Sequence, residues 1–209
     1  MTFDTAGSFH RHFKDALAEA EAKTPYPLAD WPYAGRRSPK RQVEWWEENG
    51  PALCQKYIDW YEANDDITVW ITPDDKPAIE LDLTASFGRV PVRVIIDQVL
   101  KAGSALIITD LKSGAKTPDS MTQLGIGASV LELTYGIRPR YGSFWMHKLD
   151  EPFRPFELGG YQYSVEFLSD QIGMFDRAER SGIYVANPGQ RCKRCGVAQH
   201  CPAMGVRPE

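Results

Sequence analysis

Two aspartates, a lysine and three closely spaced cysteines are the residues of this chain whose types and spacing could do chemistry. Asp97 ends the β-branched run Val90–Asp97, and Asp110 ends a second run, Ala105–Asp110. Leu111, Lys112, Ser113 and Gly114 follow at once. A carboxylate at a strand end is held by a rigid scaffold yet reaches solvent, which suits a hard cation such as Mg²⁺ or Mn²⁺. If the two strands are neighbours, both carboxylates can share an ion, which polarises a phosphodiester and lowers the pKa of a bound water. Lys112, two residues after Asp110, emerges on the same face of its strand. Its ammonium could steady the attacking water or the charge on phosphorus. The Leu111 carbonyl points towards the same metal, and Glu80, on a preceding strand, is a candidate further ligand or water-orienting base. Aspartate also ends strands at turns for purely local reasons. The joint pattern, with Gln123 at the start of the next helix, is what points to a site.

The second constellation is Cys192-x2-Cys195-x5-Cys201. Thiolates at this spacing wrap a soft-metal centre. A 4Fe-4S cluster needs four thiolates, and the remaining cysteine is Cys54, far away in sequence. A Zn²⁺ site made of Cys192, Cys195, Cys201 and His200 is the alternative. His10, His12 and His147 belong to no ligand pattern and read as surface or packing residues.

The elements that must position these groups follow from hydrophobic period. Ser8 to Ala22 and about Arg41 to Ala63 carry helical spacing, the second with a Gly50-Pro51 interruption that could split or kink it. Ile67–Ile71 and Ala78–Thr84 read as strands. Val90–Asp97 and Ala105–Asp110 read as strands buried on both faces, joined by a turn at Lys101–Ser104. Pro118–Tyr135 is predicted helical, Arg140–His147 a strand, and Ser164–Ser181 a helix. The fold class is α/β: a central mixed β-sheet flanked by helices, with a small C-terminal appendix bound by cysteines. One domain is expected, with a helical part at 1–65, the core at 66–185 and the cysteine segment at 186–209.

A chain of 209 residues, 43% hydrophobic and 25% charged, is that of an ordinary globular domain. No apolar run approaches the roughly 20 residues that span a bilayer. Met1 to His12 carries no apolar signal core, so the cytoplasm is the expected compartment. The net charge is −4, yet Arg36, Arg37, Lys40 and Arg41 cluster, as do Arg191, Lys193 and Arg194. Basic patches on an acidic chain fit phosphate contacts in one groove, and Arg36, Arg37, Lys193, Arg194 and Lys116 are the candidate DNA contacts.

Glu80…Ile96-Asp97…Asp110-Leu111-Lys112-Ser113-Gly114…Gln123-Leu124 resembles the PD-(D/E)XK nuclease superfamily. It is most similar to the RecB-like exonucleases, including the CRISPR-associated members that carry an iron–sulfur cluster. The resemblance implies a restriction-endonuclease-like core and Mg²⁺- or Mn²⁺-dependent exonuclease activity on single-stranded DNA or DNA ends. It implies metal binding by Asp97 and Asp110, a catalytic role for Lys112, and orientation of the site by Gln123. It also implies a cluster held by Cys54, Cys192, Cys195 and Cys201, and DNA, with recombination or CRISPR proteins, as partners. The chain departs from the pattern where the family usually has a tyrosine four residues after its glutamine: Gly127 stands there. Cys54 stands where the family often has a histidine, and Ile96 where it often has a glycine. The first two departures motivate the alternative of a DNA-end-binding or assembly module that keeps the fold and cluster without catalysis.

Overall fold

A computed structural model describes residues 4–31, 39–149, 151–183, 189, 192, 195–196 and 198–201, with the backbone alone for residues 39–41. The chain runs α1 (Thr5–Lys23), α2 (Pro39–Glu62), β1 (Ile67–Val69), β2 (Ile79–Phe87), β3 (Val90–Ala102), β4 (Ala105–Lys112), α3 (Thr122–Tyr135), β5 (Tyr141–Met146), β6 (Phe156–Glu157) and α4 (Val165–Arg180). Six strands form one sheet in the order β1-β3-β4-β5-β6, with β2 also paired to β3. β2, β3 and β4 form an antiparallel meander, whereas β5 is parallel to β4 and is reached through α3. Parallel neighbours need such a crossover, and an α-helix is its usual form. This is the central mixed β-sheet flanked by helices expected from the sequence. No helix among the described residues is long and apolar enough to cross a membrane.

The two faces of the sheet are covered in opposite ways. α3 buries its middle, Leu124 to Leu131, and leaves both ends exposed. Its small residues let it sit close: a Cβ on Gly127 would lie 2.6 Å from Ile108 Cδ1, and one on Gly125 would lie 2.7 Å from Tyr163 Cδ1. α2 is held off the opposite face by large rings. Tyr57 and Trp60 each lie 4.9 Å from the Trp145 ring, and Trp60 lies 4.6 Å from Phe153. The Tyr57 hydroxyl also donates to Gln98 Oε1 at 2.5 Å, giving that buried amide a partner on the sheet.

Two expectations are corrected. The Gly50-Pro51 pair does not split α2, which runs through it with Pro51 inside. Gly50 is the crossing point with α1: a Cβ there would lie 2.0 Å from the Phe9 ring, so glycine permits the contact that holds this stretch in place. Nor is Val90–Asp97 buried on both faces: Arg93 is exposed and Ile95 is 51% exposed. The outer half of the β2–β3 hairpin is covered only on the side where Val92 and Val94 pack with Phe87, Val130 and Leu168.

His147 ends β5 as a packing residue. The Trp145 indole, a donor only, gives its N–H to His147 Nδ1 at 3.2 Å, which requires the neutral imidazole. Burial, first, and the nearby Lys56 and Lys148 hold its pKa below the ordinary value, against a backbone hydrogen bond at Leu53. A histidine whose folded pKa is depressed stabilises the fold above its unfolded pKa, and this contribution is lost as pH falls from about 6.5 towards the folded value. Thermal melts at pH 7.5 and 5.5 should therefore show a smaller acid-side loss of Tm in His147→Gln than in the parent. An equal loss in both would show that His147 does not set that limb.

Candidate functional site

The site forms where the β3–β4 ladder stops. Its last inward pair is Gln98↔Thr109, and continuation by one step would set Asp97 opposite Asp110. Instead the Leu111 N–H donates to Asp97 Oδ2 at 2.7 Å. A side-chain carboxylate thus takes a backbone donor that a longer ladder would have used. In a strand the N–H and C=O of one residue point the same way, so the Leu111 carbonyl is also turned towards Asp97. Asp97, Asp110 and Gln123 line one cleft of about 490 Å³, walled by Ile96, Ile108 and Gly127.

Asp110 is the buried member, 5% exposed. Gln123, in the first turn of α3, donates from Nε2 to Asp110 Oδ1 at 2.5 Å. Lys112 Nζ faces Asp110 Oδ2 at 2.6 Å as an ion pair and reaches Gln123 Oε1 at 3.2 Å. The Asp110 Oδ2 atom nevertheless has no partner that meets hydrogen-bond angles. The 2.6 Å approach still makes Lys112 the main group that lowers the Asp110 pKa, through contact first and charge second. Burial pushes the Asp110 carboxyl up, the Lys112 ammonium pulls it down, and the nearby Asp97 charge pushes it up again. The site therefore holds a desolvated carboxylate beside a second carboxylate, with one lysine as counter-charge.

The donor set fits a hard divalent cation. Two carboxylates are close enough for Asp97 to act electrostatically on Asp110, and a backbone carbonyl is directed to the same place. Asp97 Oδ1 has no partner among the described residues. Glu80 stands between the pairs Ile79↔Gln98 and Leu81↔Ile96, which places it across from Asp97 in register. It is exposed, and its backbone is left-handed, with φ 48°. Such a φ in a residue with a long side chain is strained and is more frequent at functional sites. Its carboxylate does not complete a cluster: among the described residues no three His, Cys, Asp or Glu side chains sit together at metal-binding spacing.

The same observation bears on the cysteines. None of the four cysteines is in a disulfide, and among the described residues neither they nor His200 form a group of three at metal-binding spacing. Cys54 opens instead on an apolar groove of about 400 Å³ between α1 and α2, beside Phe9, Phe13 and His12. The C-terminal three are linked by backbone hydrogen bonds three residues apart: Cys195 N–H donates to Cys192 O, Ala198 N–H to Cys195 O, and Cys201 N–H to Ala198 O. The Gly189 N–H donates to Cys192 Sγ at 3.3 Å.

Of the candidate DNA contacts, Arg36, Arg37, Lys193 and Arg194 lie outside the described residues. Lys116 follows the site on an exposed loop and pairs with Asp119 at 2.8 Å, with both side chains at least 80% exposed. An exposed pair of this kind is weak, so a phosphate could take the lysine from it. Two contributors to the site have no local signal in the sequence. One is the Leu111 N–H bond to Asp97. The other is Phe144, which pairs with Asp110 across the parallel β4–β5 ladder and lies 5.9 Å under Lys112 Nζ. Only the β4–β5 register, fixed by a long-range crossover, brings Phe144 there.

No family model matches the chain. The chain is similar to the Gene 69 protein of Mycobacterium phage D29, at 26% identity over 211 residues, covering 98% of this chain and 77% of that protein.

Gly127 has a physical reason to be glycine, since Ile108, 2% exposed, has no room to yield to a side chain on α3. Gly127→Tyr, which would restore the residue common in the resembled superfamily, should destabilise the protein by about 3 kcal/mol or more through overpacking. For a chain of this length each kcal/mol lowers Tm by about 2–4 °C. A Tm within 2 °C of the parent, measured calorimetrically, would show that α3 stands farther from the sheet.

Proposed function

We propose that this protein is a Mg²⁺- or Mn²⁺-dependent deoxyribonuclease of the RecB-like kind. It hydrolyses phosphodiester bonds from the ends of DNA, with single strands as the preferred form, in recombination, repair, or phage or CRISPR DNA processing. The proposed compartment is the cytoplasm, where that DNA is. The observation that supports the reading is the grouping of Asp97, Asp110, Lys112 and Gln123 at the open end of β3 and β4.

Asp97, Asp110 and the Leu111 carbonyl would hold the cation, with Glu80 at the neighbouring strand position. When bound, the cation supplies charge stabilisation at the phosphoryl oxygens and a more acidic water. Asp110 presents a carboxylate that burial leaves poorly solvated, which favours exchange of water for a strong counter-charge. Lys112 neutralises Asp110 in the resting arrangement, 2.6 Å away, and reaches solvent through a side chain 30% exposed. It is placed to orient the attacking water or to meet the charge that develops on phosphorus. Gln123 fixes Asp110 Oδ1 and contacts Lys112, so it sets the distance between acid and base. The first turn of α3, which carries Gln123, adds a positive helix end beside the scissile phosphate.

The cysteines enter no step. The spacing of Cys192, Cys195 and Cys201 supports a soft-metal centre, with iron and Cys54 as the favoured assignment and Zn²⁺ with His200 as the other. Anaerobically purified protein is expected to contain iron and acid-labile sulfide. A colourless protein with stoichiometric zinc would assign the site to zinc.

End-labelled single-stranded DNA with Mn²⁺ tests the catalytic reading. The parent should degrade it, and Asp110→Ala and Lys112→Ala should each lower the rate about 100-fold or more while keeping a folded circular-dichroism spectrum. DNA binding by the parent without degradation would instead identify an end-binding module.

A further inference from the structure

Beside the carboxylates, across β5, lies a second cavity that the hydrolytic reading does not use. It has a volume of about 590 Å³, and its walls include Phe144, Met146, Phe156, Met121 and Leu149. Thr117, Glu151 and Arg154 stand at its edge. The volume lies in the range of ligand pockets, about 300–1,000 Å³.

The cavity adjoins the site through three residue relationships. Phe144 is the β5 partner of Asp110, and Met146 is the β5 partner of Lys112. Met121 precedes Gln123 by two residues at the start of α3. Two neighbouring chambers thus flank β4 and β5, one lined by Asp97 and Asp110 and the other by flat and polarisable apolar groups. Phe144 and Phe156 rings lie 6.2 Å apart at 38°, and the thioethers of Met121 and Met146 complete a soft wall. Phe144 and Met146, 4% and 2% exposed, back the cavity from the core, and the half-buried Phe156, Met121 and Leu149 present the faces that a ring can reach. At the rim Arg154 and Glu151 form an exposed ion pair, which offers donors and acceptors side by side.

We infer that this cavity is a nucleobase subsite: it takes the base of the nucleotide whose phosphate lies against Asp97, Asp110 and Lys112. The inference deepens the nuclease reading and rests on it for the position of that phosphate. A base has an apolar, polarisable face and a polar edge, and the cavity presents a matching floor and rim. Stacking on such a floor is tolerant of sequence because every base has a π-face. A base inside a duplex has both faces covered by its neighbours and cannot enter without leaving the stack. The cavity therefore selects for single strands and frayed ends, and it does so through the base rather than the phosphate.

Abasic DNA separates the base from the phosphate, because it keeps every charge and removes every ring. Binding of a fluorescein-labelled oligo(dT) and of an abasic oligomer of equal length is measured by anisotropy in Ca²⁺, in the parent and in Thr117→Trp. Thr117 is exposed at the rim, so the indole can fill the cavity without entering the core. The parent should bind oligo(dT) about tenfold more tightly than the abasic oligomer, and Thr117→Trp should lose that preference with unchanged affinity for the abasic oligomer. Equal affinities of the parent for both oligomers overturn the inference, and this arm needs no variant. Retention of the preference in a folded Thr117→Trp also overturns it. Cleavage in Mn²⁺ is scored separately. Cleavage without base preference removes the subsite and leaves the nuclease reading. Base preference lost in Thr117→Trp without any cleavage keeps the subsite and removes the nuclease reading.

Discussion

The bond from the Leu111 N–H to the Asp97 carboxylate is the contact on which the site depends. It replaces one rung of the β3–β4 ladder, which stops at Gln98↔Thr109. Leu111 is exposed, so where the strands part either water or a side chain takes its N–H. Asp97 does so, and a charged acceptor makes the bond stronger than a neutral one. The parting opens the cleft in which Asp110 and Gln123 stand, and it turns the Leu111 carbonyl towards the same space. A nearby irregularity occurs on β2, where Glu80 adopts φ 48° across from Asp97. Two neighbouring strands thus depart from regular geometry at one level of the sheet.

Helix packing then decides how far from the sheet each functional group stands. Gly125, Gly127 and Ala128 let α3 approach closely, and this approach brings Gln123 within hydrogen-bond reach of Asp110. A larger residue at 127 would lift the helix and lengthen that bond. The missing tyrosine of the resembled superfamily and the tight α3 contact are therefore one structural choice. On the other face Tyr57, Trp60 and Trp145 hold α2 at a distance, and the Tyr57–Gln98 bond satisfies the buried amide adjacent to Asp97. Asp97 and Gln98 are consecutive, so the two faces of the sheet are braced at the same point.

Much of this was legible from local chemistry. Asp97, Asp110 and Lys112 were visible because β-branched runs mark strands and the residues that end them stand out. Strand pairing then brought the expected groups together. Gln123 was visible from its place at the start of an amphipathic run, although the helix begins at Thr122 rather than near Pro118. What was not legible depends on distant partners. Phe144 enters the site through its register with β4, and the left-handed backbone of Glu80 falls where β2 passes Asp97 on β3. Pro51 reads as a helix breaker because its cost is local, whereas the packing of Phe9 on Gly50 that accompanies the continuous helix is tertiary. The four cysteines are legible as a spacing alone: Cys192 and Cys195 are joined by one turn, Cys201 follows two turns later through Ala198, and Cys54 lines a groove between α1 and α2.

Asp110 also shows why this arrangement is better explained by chemistry than by stability. A carboxylate 5% exposed, with a second carboxylate nearby, opposes folding whenever it is charged. Lys112 offsets part of this cost, but burying an ion pair is often no better for stability than burying apolar side chains of the same volume. A packing role would be met as well by leucine or asparagine at 110, since the flanking Ile108 and Phe144 are already in the core. What leucine or asparagine could not supply is a strong, poorly solvated negative charge beside a half-exposed ammonium. Residues that break a local rule without a gain in stability are expected at functional sites. Asp110, Glu80 and Asp97 break such rules within one row of the sheet, and the polar contacts of that row converge on the mouth of a single cleft.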